Sequence, residues 1–227
     1  MRRRREDDTL APWQTQAQAA YEPGVRAVDE RRLRTGEKGL WIDVGASTGA
    51  VLVAARAAGW PVAGVEFGEG QVQVCREVHG LDVRAGSLAD ARFAAGGAEV
   101  ISYRQVFEHV HDPLAELAEV RRVLAPDGLL LLEVPNIAAP RYRIARARTA
   151  LRLCRPFWER VNVPEHVFYY APNTLDAMLE KTGFATVWWT TYGRTRRKAG
   201  PIRRLYDRVR DGLRIGNKLR WVARKAT

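Results

Sequence analysis

The stretch from Leu40 to Glu66, LWIDVGASTGAVLVAARAAGWPVAGVE, constrains the fold of this chain more than any other. It begins with an apolar run, Leu40–Val44, that is long enough for one buried parallel strand. A turn bracketed by Gly45 and Gly49 follows, and then a helical segment rich in Ala, Val and Leu. A second apolar run ends on Glu66, and a carboxylate in that position can accept both hydrogen bonds of a ribose diol. The stretch therefore predicts a βαβ unit that binds a nucleoside.

Three ligand classes compete for the glycine turn. A dinucleotide fingerprint needs glycine at its first, third and sixth positions, but Ser47 and Ala50 occupy the third and sixth here. The turn also matches the G-x-S-x-G motif of a nucleophile elbow, which would make Ser47 the nucleophile of a serine hydrolase. Only 39 residues precede Leu40, and they contain no strand or HGGG-type loop to complete an oxyanion hole, which argues against a hydrolase. The third class is a sulfonium nucleoside.

This third class is favoured by a resemblance to motif I of class I S-adenosylmethionine-dependent methyltransferases, (D/E)-x-G-x-G-x-G. The four positions of the motif are filled by Asp43, Gly45, Ser47 and Gly49, with serine in place of the middle glycine. Three later segments resemble the ubiquinone-type, or methyltransferase-23-like, branch of these enzymes. They are ISYRQVFEHVHDP at 101–113, VLAPDGLLLLEVPN at 123–136 and PEHVFYYAPNTLDAMLEKTGF at 164–184.

The resemblance implies an α/β fold with a Rossmann-like, doubly wound sheet of seven strands. The sheet would be mostly parallel with an antiparallel last strand, formed by Lys218–Lys225. Residues 1–39 would form a disordered start and an N-terminal helix, and residues 40–227 the methyltransferase domain. A basic helical cap, 137–171, would follow strand five, and a second basic insert, 194–217, would separate the last two strands.

Two helices can be placed from local patterns. Trp13–Leu33 predicts a helix that Pro23-Gly24 can break. Asp112-Pro113 predicts the start of a later helix, with aspartate as the N-cap and proline at the first helical position. The expected apolar face of this later helix consists of Leu114, Leu117, Val120 and Leu124.

The resemblance also implies a cofactor, S-adenosyl-L-methionine. Glu66 matches the ribose ligand of these enzymes, Phe67 stands where an apolar residue covers the adenine, and Ser87 or Asp90 would approach the adenine amino group. Side chains at the carboxyl end of the fourth strand face the ligand side of an open parallel sheet. The expected cofactor-binding residues are Asp43, Gly45, Ser47, Gly49, Glu66, Phe67, Ser87, Arg104 and Gln105.

Two histidines are candidates for acid–base chemistry. His166 matches the late histidine of the relatives, and His109 lies in the segment after the fourth strand; either could instead have a purely structural role. Relatives that act on quinone precursors bind a divalent metal through Glu-x-x-Glu-His, but Gln105 replaces the first glutamate here. Glu108 and His109 alone lack one carboxylate for a hard cation, so no metal is expected.

Basic residues are concentrated in two segments. Residues 141–160 contain seven arginines and one acid, and residues 194–227 contain 13 Lys and Arg against 2 Asp, whereas the whole chain has a net charge of +11. The first segment can be a solvated helix, a lid that offers arginine to an anionic acceptor, or an amphipathic helix on anionic lipid. The expected acceptor-binding residues are Arg143, Tyr169 and Tyr170.

The compartment and partners follow from composition. Two cysteines are too few for a disulfide framework and favour a reducing cytoplasm. No apolar run approaches the roughly 18 residues of a membrane span. The basic segments allow peripheral contact with an anionic membrane or an acidic glycan. The sequence contains no recognisable RNA-binding module, so no specific nucleic acid is expected as a partner.

The sequence therefore predicts a cytoplasmic enzyme of small-molecule biosynthesis that transfers a methyl group to an acceptor oxygen. The acceptor would be anionic, glycosylated or lipid-linked. The alternatives are a serine hydrolase that uses Ser47 and a relative that binds the cofactor without catalysis. The acceptor, the atom methylated and the oligomeric state stay open at this point.

Overall fold

The computed structural model describes residues 12–153, 166–193, 207 and 209–226, with side chains from residue 20 onward. The predictions for residues 1–10, and for the parts of the two basic inserts at 154–165 and 194–206, lie outside these residues. The strands are β1 Leu40–Val44, β2 Val62–Glu66, β3 Asp82–Ala85, β4 Ala98–Arg104, β5 Leu124–Pro135, β6 Phe184–Tyr192 and β7 Lys218–Lys225. The helices are α1 Pro12–Asp29, α2 Ala50–Ala57, α3 Glu69–Gln73, α4 Pro113–Val123, α5 Pro140–Ala150 and α6 Pro172–Lys181.

Seven strands of the described chain form one sheet in the order β3-β2-β1-β4-β5-β7-β6. The strands β1 to β5 run parallel, and β7 lies antiparallel between β5 and β6. The predicted Rossmann-like fold with an antiparallel last strand is therefore confirmed. The strand order reverses between β1 and β4, and the carboxyl ends of strands at such a switch point form the ligand crevice of open α/β sheets.

The central strands are buried because apolar residues occupy both faces of the sheet. β4 is buried at every position except its last, and β5 is buried continuously from Leu129 to Val134. Near-continuous burial of this kind is typical of parallel strands covered on both sides by helices. A rigid core thus holds the strand ends that carry the polar side chains.

Helix α4 begins as expected, because the Asp112 side chain accepts a hydrogen bond from the Ala115 backbone N–H at 3.0 Å. The expectation that Leu114 belongs to its apolar face is wrong, since Leu114 is 56% exposed. Val123 is fully buried and completes that face with Leu117 and Val120. Leu114 has the right helical spacing, but it lies in the first turn, at the edge of the packed surface.

Helix α1 continues through Pro23 instead of breaking there. A Cβ atom on Gly24 would lie 3.4 Å from the Glu133 Oε1 atom of β5. This is an ordinary van der Waals distance, so the helix packs on the end of the sheet without requiring glycine at this position. None of the described helices has the length and apolar character needed to span a membrane.

Candidate cofactor and acceptor site

The turn after β1 requires glycine at two positions. Gly45 and Gly49 have φ angles of 73° and 83°, in the left-handed region that disfavours other residues. A Cβ on Gly45 would overlap with the Val106 side chain, which comes from the segment after β4. The backbone N–H groups of Gly45 and Ala46 both donate to the Val65 carbonyl, at 2.9 and 3.0 Å. The turn is thereby fixed between its two neighbouring strands.

Glu66 closes β2 and connects the turn to the strand end. Its Oε2 atom accepts the Ser47 N–H at 2.7 Å, and its Oε1 atom accepts the Gly68 N–H at 3.0 Å. Ser47 itself has a φ of 48°, so this hydrogen bond helps to hold an unfavourable conformation. Each carboxylate oxygen can accept a second hydrogen bond. The carboxylate is thus oriented and still has acceptor capacity for the two hydroxyls of a ribose, which fits the cofactor expected there.

An exposed ring and a polar pair lie beyond Glu66. Phe67 is 75% exposed, which is unusual for an aromatic side chain next to a buried strand and suits a ring that a planar ligand would cover.

At the end of β3, the Ser87 N–H and hydroxyl both donate to Asp90 Oδ2, at 2.9 and 2.6 Å. These bonds lower the pKa of Asp90. The Gly86 N–H donates to the Glu66 carbonyl at 3.0 Å and joins the two strand ends.

Asp43 lies at the end of β1 and is 2% exposed. Trp41 Nε1–H donates to Ser102 Oγ at 2.8 Å, and the Ser102 hydroxyl in turn donates to Asp43 Oδ1 at 2.5 Å. Burial raises the pKa of Asp43 to about 7, although the Ser102 hydrogen bond and the Arg104 charge both lower it. The side chain therefore changes its charge near neutral pH.

A second buried carboxylate, Glu133 of β5, is held by positive charges. Arg104 Nε lies 3.1 Å from Glu133 Oε2, Arg220 Nε bonds to Oε1, and the Tyr192 hydroxyl donates to Oε2 at 2.8 Å. Burial would raise the pKa of Glu133, but the charges of Arg220 and Arg104 outweigh it and keep the pKa below its ordinary value. The Arg104 guanidinium also stacks 3.7 Å from the ring centroid of Tyr21 in α1.

Gln105 follows Arg104 with a φ of 55°. Its backbone N–H and its side-chain Nε2 both donate to the Glu133 carbonyl, at 2.7 and 2.9 Å. Glu133 thus fixes the conformation of the two residues expected to face the cofactor after β4. Sequence reasoning did not identify Glu133, Arg220, Tyr192 or Tyr21 as part of the site. One local signal existed, because Glu133 interrupts the apolar run LLLLEVP.

His109 and His166 are brought together although they lie far apart in the sequence. Their ring centroids are 4.9 Å apart, and the rings are nearly perpendicular at 82°. The contact forms because the Glu108 carbonyl accepts the backbone N–H groups of Val167 and Phe168, at 2.9 and 3.0 Å. His109 N–H in turn donates to the carbonyl of Val106, the residue packed against Gly45, at 2.9 Å. His109 therefore lies on the segment that borders the cofactor turn, and His166 is held against it from a later part of the chain.

Glu108 lies beside this pair and is 1% exposed. Its Oε2 atom has no hydrogen-bond partner in the described part of the chain, and burial raises the pKa of the side chain. One ligand atom from each of Glu108, His109 and His166 lies within 4.8 Å of the others. Such a carboxylate–imidazole set can hold a transition metal ion. The expectation that no metal is bound stays a prediction.

The expected acceptor residues differ in exposure. The Tyr169 ring centroid lies 5.7 Å from that of His166, and Tyr170 is 5% exposed and packs on Phe107. The hydroxyls of both tyrosines are buried without a hydrogen-bond partner among the described residues. Arg143 is exposed on α5. The Ile137 N–H, just before α5, donates to the Tyr170 carbonyl at 3.0 Å, so α5 starts beside the tyrosines.

Solved structures resemble this fold at low sequence identity. An S-adenosylmethionine-dependent methyltransferase from Archaeoglobus fulgidus matches with a TM-score of 0.63 and 16% identity, over 93% of this chain and 94% of that one. A similar enzyme from Mesorhizobium loti matches with a TM-score of 0.62 and 16% identity, over 91% and 98%. Geranyl diphosphate C-methyltransferase from Streptomyces coelicolor, solved with Mg²⁺, geranyl diphosphate and S-adenosyl-L-homocysteine, matches with a TM-score of 0.58 and 13% identity, over 97% and 86%.

The family is shown by sequence as well as by fold. A family model described as a methyltransferase domain matches residues 13–188, which include β1 to β5 and every site residue expected from the sequence. No curated protein matches the chain by sequence. The family match displaces the serine hydrolase interpretation of Ser47, whose N–H serves to hold Glu66. The chain belongs to the methyltransferase-domain family, and the predicted class I methyltransferase identity is confirmed.

Proposed function

We propose that this chain transfers the methyl group of S-adenosyl-L-methionine to an oxygen atom of a small anionic acceptor. The observation that carries the proposal is the contact of His166 with His109, which lies on the segment that borders the cofactor turn. When bound, S-adenosylmethionine would supply an electrophilic methyl group: the acceptor oxygen would bond to the methyl carbon as the carbon–sulfur bond breaks in line, and S-adenosylhomocysteine would leave. The residues of the chain have to bind the cofactor, orient the acceptor and accept its proton.

The cofactor would be held at three points of the crevice. The oriented carboxylate of Glu66 would accept the ribose hydroxyls. Phe67 would cover one face of the adenine, and the Ser87–Asp90 pair would meet the edge of that ring. Asp43, in its ionised form, would face the positive charge of the cofactor's methionine portion. Asp43 and Glu66 lie on adjacent strands, and the turn that begins with Gly45 joins the ends of these strands.

The histidine pair supports transfer to oxygen. A hydroxyl acceptor has to lose its proton as the new carbon–oxygen bond forms, and a neutral imidazole within hydrogen-bond reach can accept that proton. His166 is half-exposed and His109 is exposed, so an acceptor can reach both rings. We assign His166 as the base and His109 as the residue that orients it. Tyr169, which packs beside His166, would form the adjacent wall.

The arginines of α5 support an anionic acceptor. Within the described part of the chain, Arg143, Arg146 and Arg148 make no salt bridge. Arginine binds carboxylate or phosphate groups in a bidentate manner. Because α5 starts beside Tyr170, an anionic group on a lipid-linked or glycosylated acceptor would meet these arginines. The proposal includes a cytoplasmic location, which suits the free buried thiol of Cys75.

Substitution of the histidines tests the proposal. Purified protein would be assayed with radiolabelled S-adenosylmethionine against a panel of anionic phenols and sugars, after mass spectrometry for co-purified S-adenosylhomocysteine. We expect His166→Ala to lower kcat by about a hundredfold or more, with little change in cofactor affinity. His111→Ala is the matched control, because His111 is exposed and lies two residues from His109.

Two results would contradict the assignment of His166 as a base. One is normal turnover in both His166→Ala and His109→Ala, which would mean that positioning of the acceptor is sufficient. The other is loss of activity on chelation with recovery on addition of Zn²⁺ or Mn²⁺, which would make Glu108, His109 and His166 metal ligands. Absence of any bound cofactor would contradict the proposal as a whole.

A further inference from the structure

Helix α5 presents apolar side chains to solvent. Ile144 is 59% exposed and Leu151 is 68% exposed, and Ala147 between them is also exposed. Their spacing of three and four residues places them on one side of the helix. The opposite side carries Ala145, which is 7% exposed, and the half-exposed Thr149. The helix is therefore packed on the protein by its small residues while its larger apolar residues face outward.

Arginines border this apolar stripe on both sides. At helical spacing, Arg143 lies along one flank and Arg141 and Arg148 lie along the other, while Arg146 lies beyond Arg143 and further from the stripe. All four are exposed. In an ordinary solvated helix the outward side is polar throughout, so an outward stripe of Ile and Leu between arginines is unusual.

The end of α5 extends the stripe. Arg152 has a φ of 55°, and the Leu153 N–H donates to the Arg148 carbonyl at 2.8 Å, which closes a left-handed turn after the last helical residue. Leu153, two residues after Leu151, is 65% exposed. The apolar surface thus continues past the helix.

We propose that this face of α5, formed by Ile144, Ala147, Leu151 and Leu153 with its flanking arginines, docks on an anionic lipid surface. Amphipathic helices seat at such surfaces with apolar residues at the acyl boundary and arginines at the level of the headgroups. Nucleic acid or an acidic glycan would pair with the arginines but would leave Ile144 and Leu151 in water. A membrane satisfies both the charge and the apolar stripe.

The inference deepens the proposed function, because a docked α5 would place the acceptor residues near a lipid-linked, anionic substrate. It does not depend on methyl transfer, since binding to vesicles can be measured without an acceptor. Failure of the vesicle test and failure of the methyltransferase assay are therefore separate results.

The full chain would be sedimented with vesicles of phosphatidylcholine alone or mixed equally with phosphatidylglycerol. We expect binding to the mixed vesicles only. Ile144→Ser with Leu151→Ser should lower the partition coefficient at least about tenfold per side chain. Arg141→Gln with Arg148→Gln should lower it about fivefold per arginine. Circular dichroism would check that each variant is folded.

Matched controls remove equivalent groups elsewhere. Leu33→Ser with Leu114→Ser removes two leucines that are 61% and 56% exposed, and Arg26→Gln with Lys181→Gln removes two charges. Both control proteins should bind like the unchanged chain. No binding to mixed vesicles, or equal loss in the controls, would overturn the proposal. Unchanged binding after loss of Ile144 and Leu151 would also overturn it, because the basic residues alone would then account for the binding.

Discussion

Replacing Asp43 with asparagine should make the ligand-free protein more stable at neutral and alkaline pH. Burial raises the pKa of Asp43 from 3.8 to about 7, so the folded state favours the protonated form. Asp43 therefore does not change the free energy of unfolding below pH 4. Its contribution lowers that free energy progressively as pH rises from about 4 to about 7 and is constant above that. In the Asp43→Asn protein the side-chain amide carbonyl could still accept the Ser102 hydroxyl, so the hydrogen bond would be kept.

The size of the effect follows from the shift. A change from 3.8 to about 7 is about three pKa units, which corresponds to a cost of ionisation on the order of 4 kcal/mol at pH 8. At pH 5 the same calculation gives about 2 kcal/mol. Urea unfolding of both proteins at pH 5 and pH 8 would measure the gap, which is the difference between their free energies of unfolding. A gap that does not widen between these two pH values, or an Asp43→Asn protein that is less stable at pH 8, would refute the reasoning.

Three further results are expected. Glu66→Gln should weaken S-adenosylhomocysteine binding about tenfold or more in titration calorimetry, because one ribose-facing acceptor becomes an amide donor; unchanged affinity would separate Glu66 from the ribose. Glu133→Gln should lower the free energy of unfolding by about 3–5 kcal/mol, because Arg104 and Arg220 lose their shared counter-charge, whereas the exposed Glu77→Gln should change it little. Cofactor binding at pH 7 should release roughly half a proton, seen as a dependence of the binding heat on buffer, and Asp43→Asn should abolish this release.

The fold could be predicted because its strands are bounded by local signals. The predicted bounds of β1 and β7 agree with the structure to the residue, and β6 lies between Gly183 and Gly193. Helices were less predictable where packing decides. The helix that begins at Glu69 is an α-helix only to Gln73 and continues as a π-helix over Val74–Val78. Nothing in the local sequence marks that change.

The candidate site could be predicted only where its residues follow strand ends. Glu66 follows from the βαβ pattern and Asp43 from the resemblance to motif I, but the Glu133 network joins residues from four strands, and Arg220 lies 87 positions from Glu133. Such contacts depend on which strands lie next to each other in the sheet. The sequence pattern of one strand does not give that order. The same is true of His166, which reaches His109 only because the following residues donate to the Glu108 carbonyl.

The two buried carboxylates of the crevice differ in one respect that bears on function. Glu133 on β5 and Asp43 on β1 flank the same strand, β4, and both are almost completely buried. Glu133 has Arg104 and Arg220 in direct contact and stays ionised, whereas Asp43 is bonded to the neutral Ser102 hydroxyl, and its pKa rises to about 7. A buried acid that lacks a bonded cation carries an energetic cost that a positively charged ligand can remove. Since S-adenosylmethionine carries a sulfonium and an ammonium, its charge would relieve the cost of ionising Asp43, a buried carboxylate to which no cation is bonded in the described part of the chain.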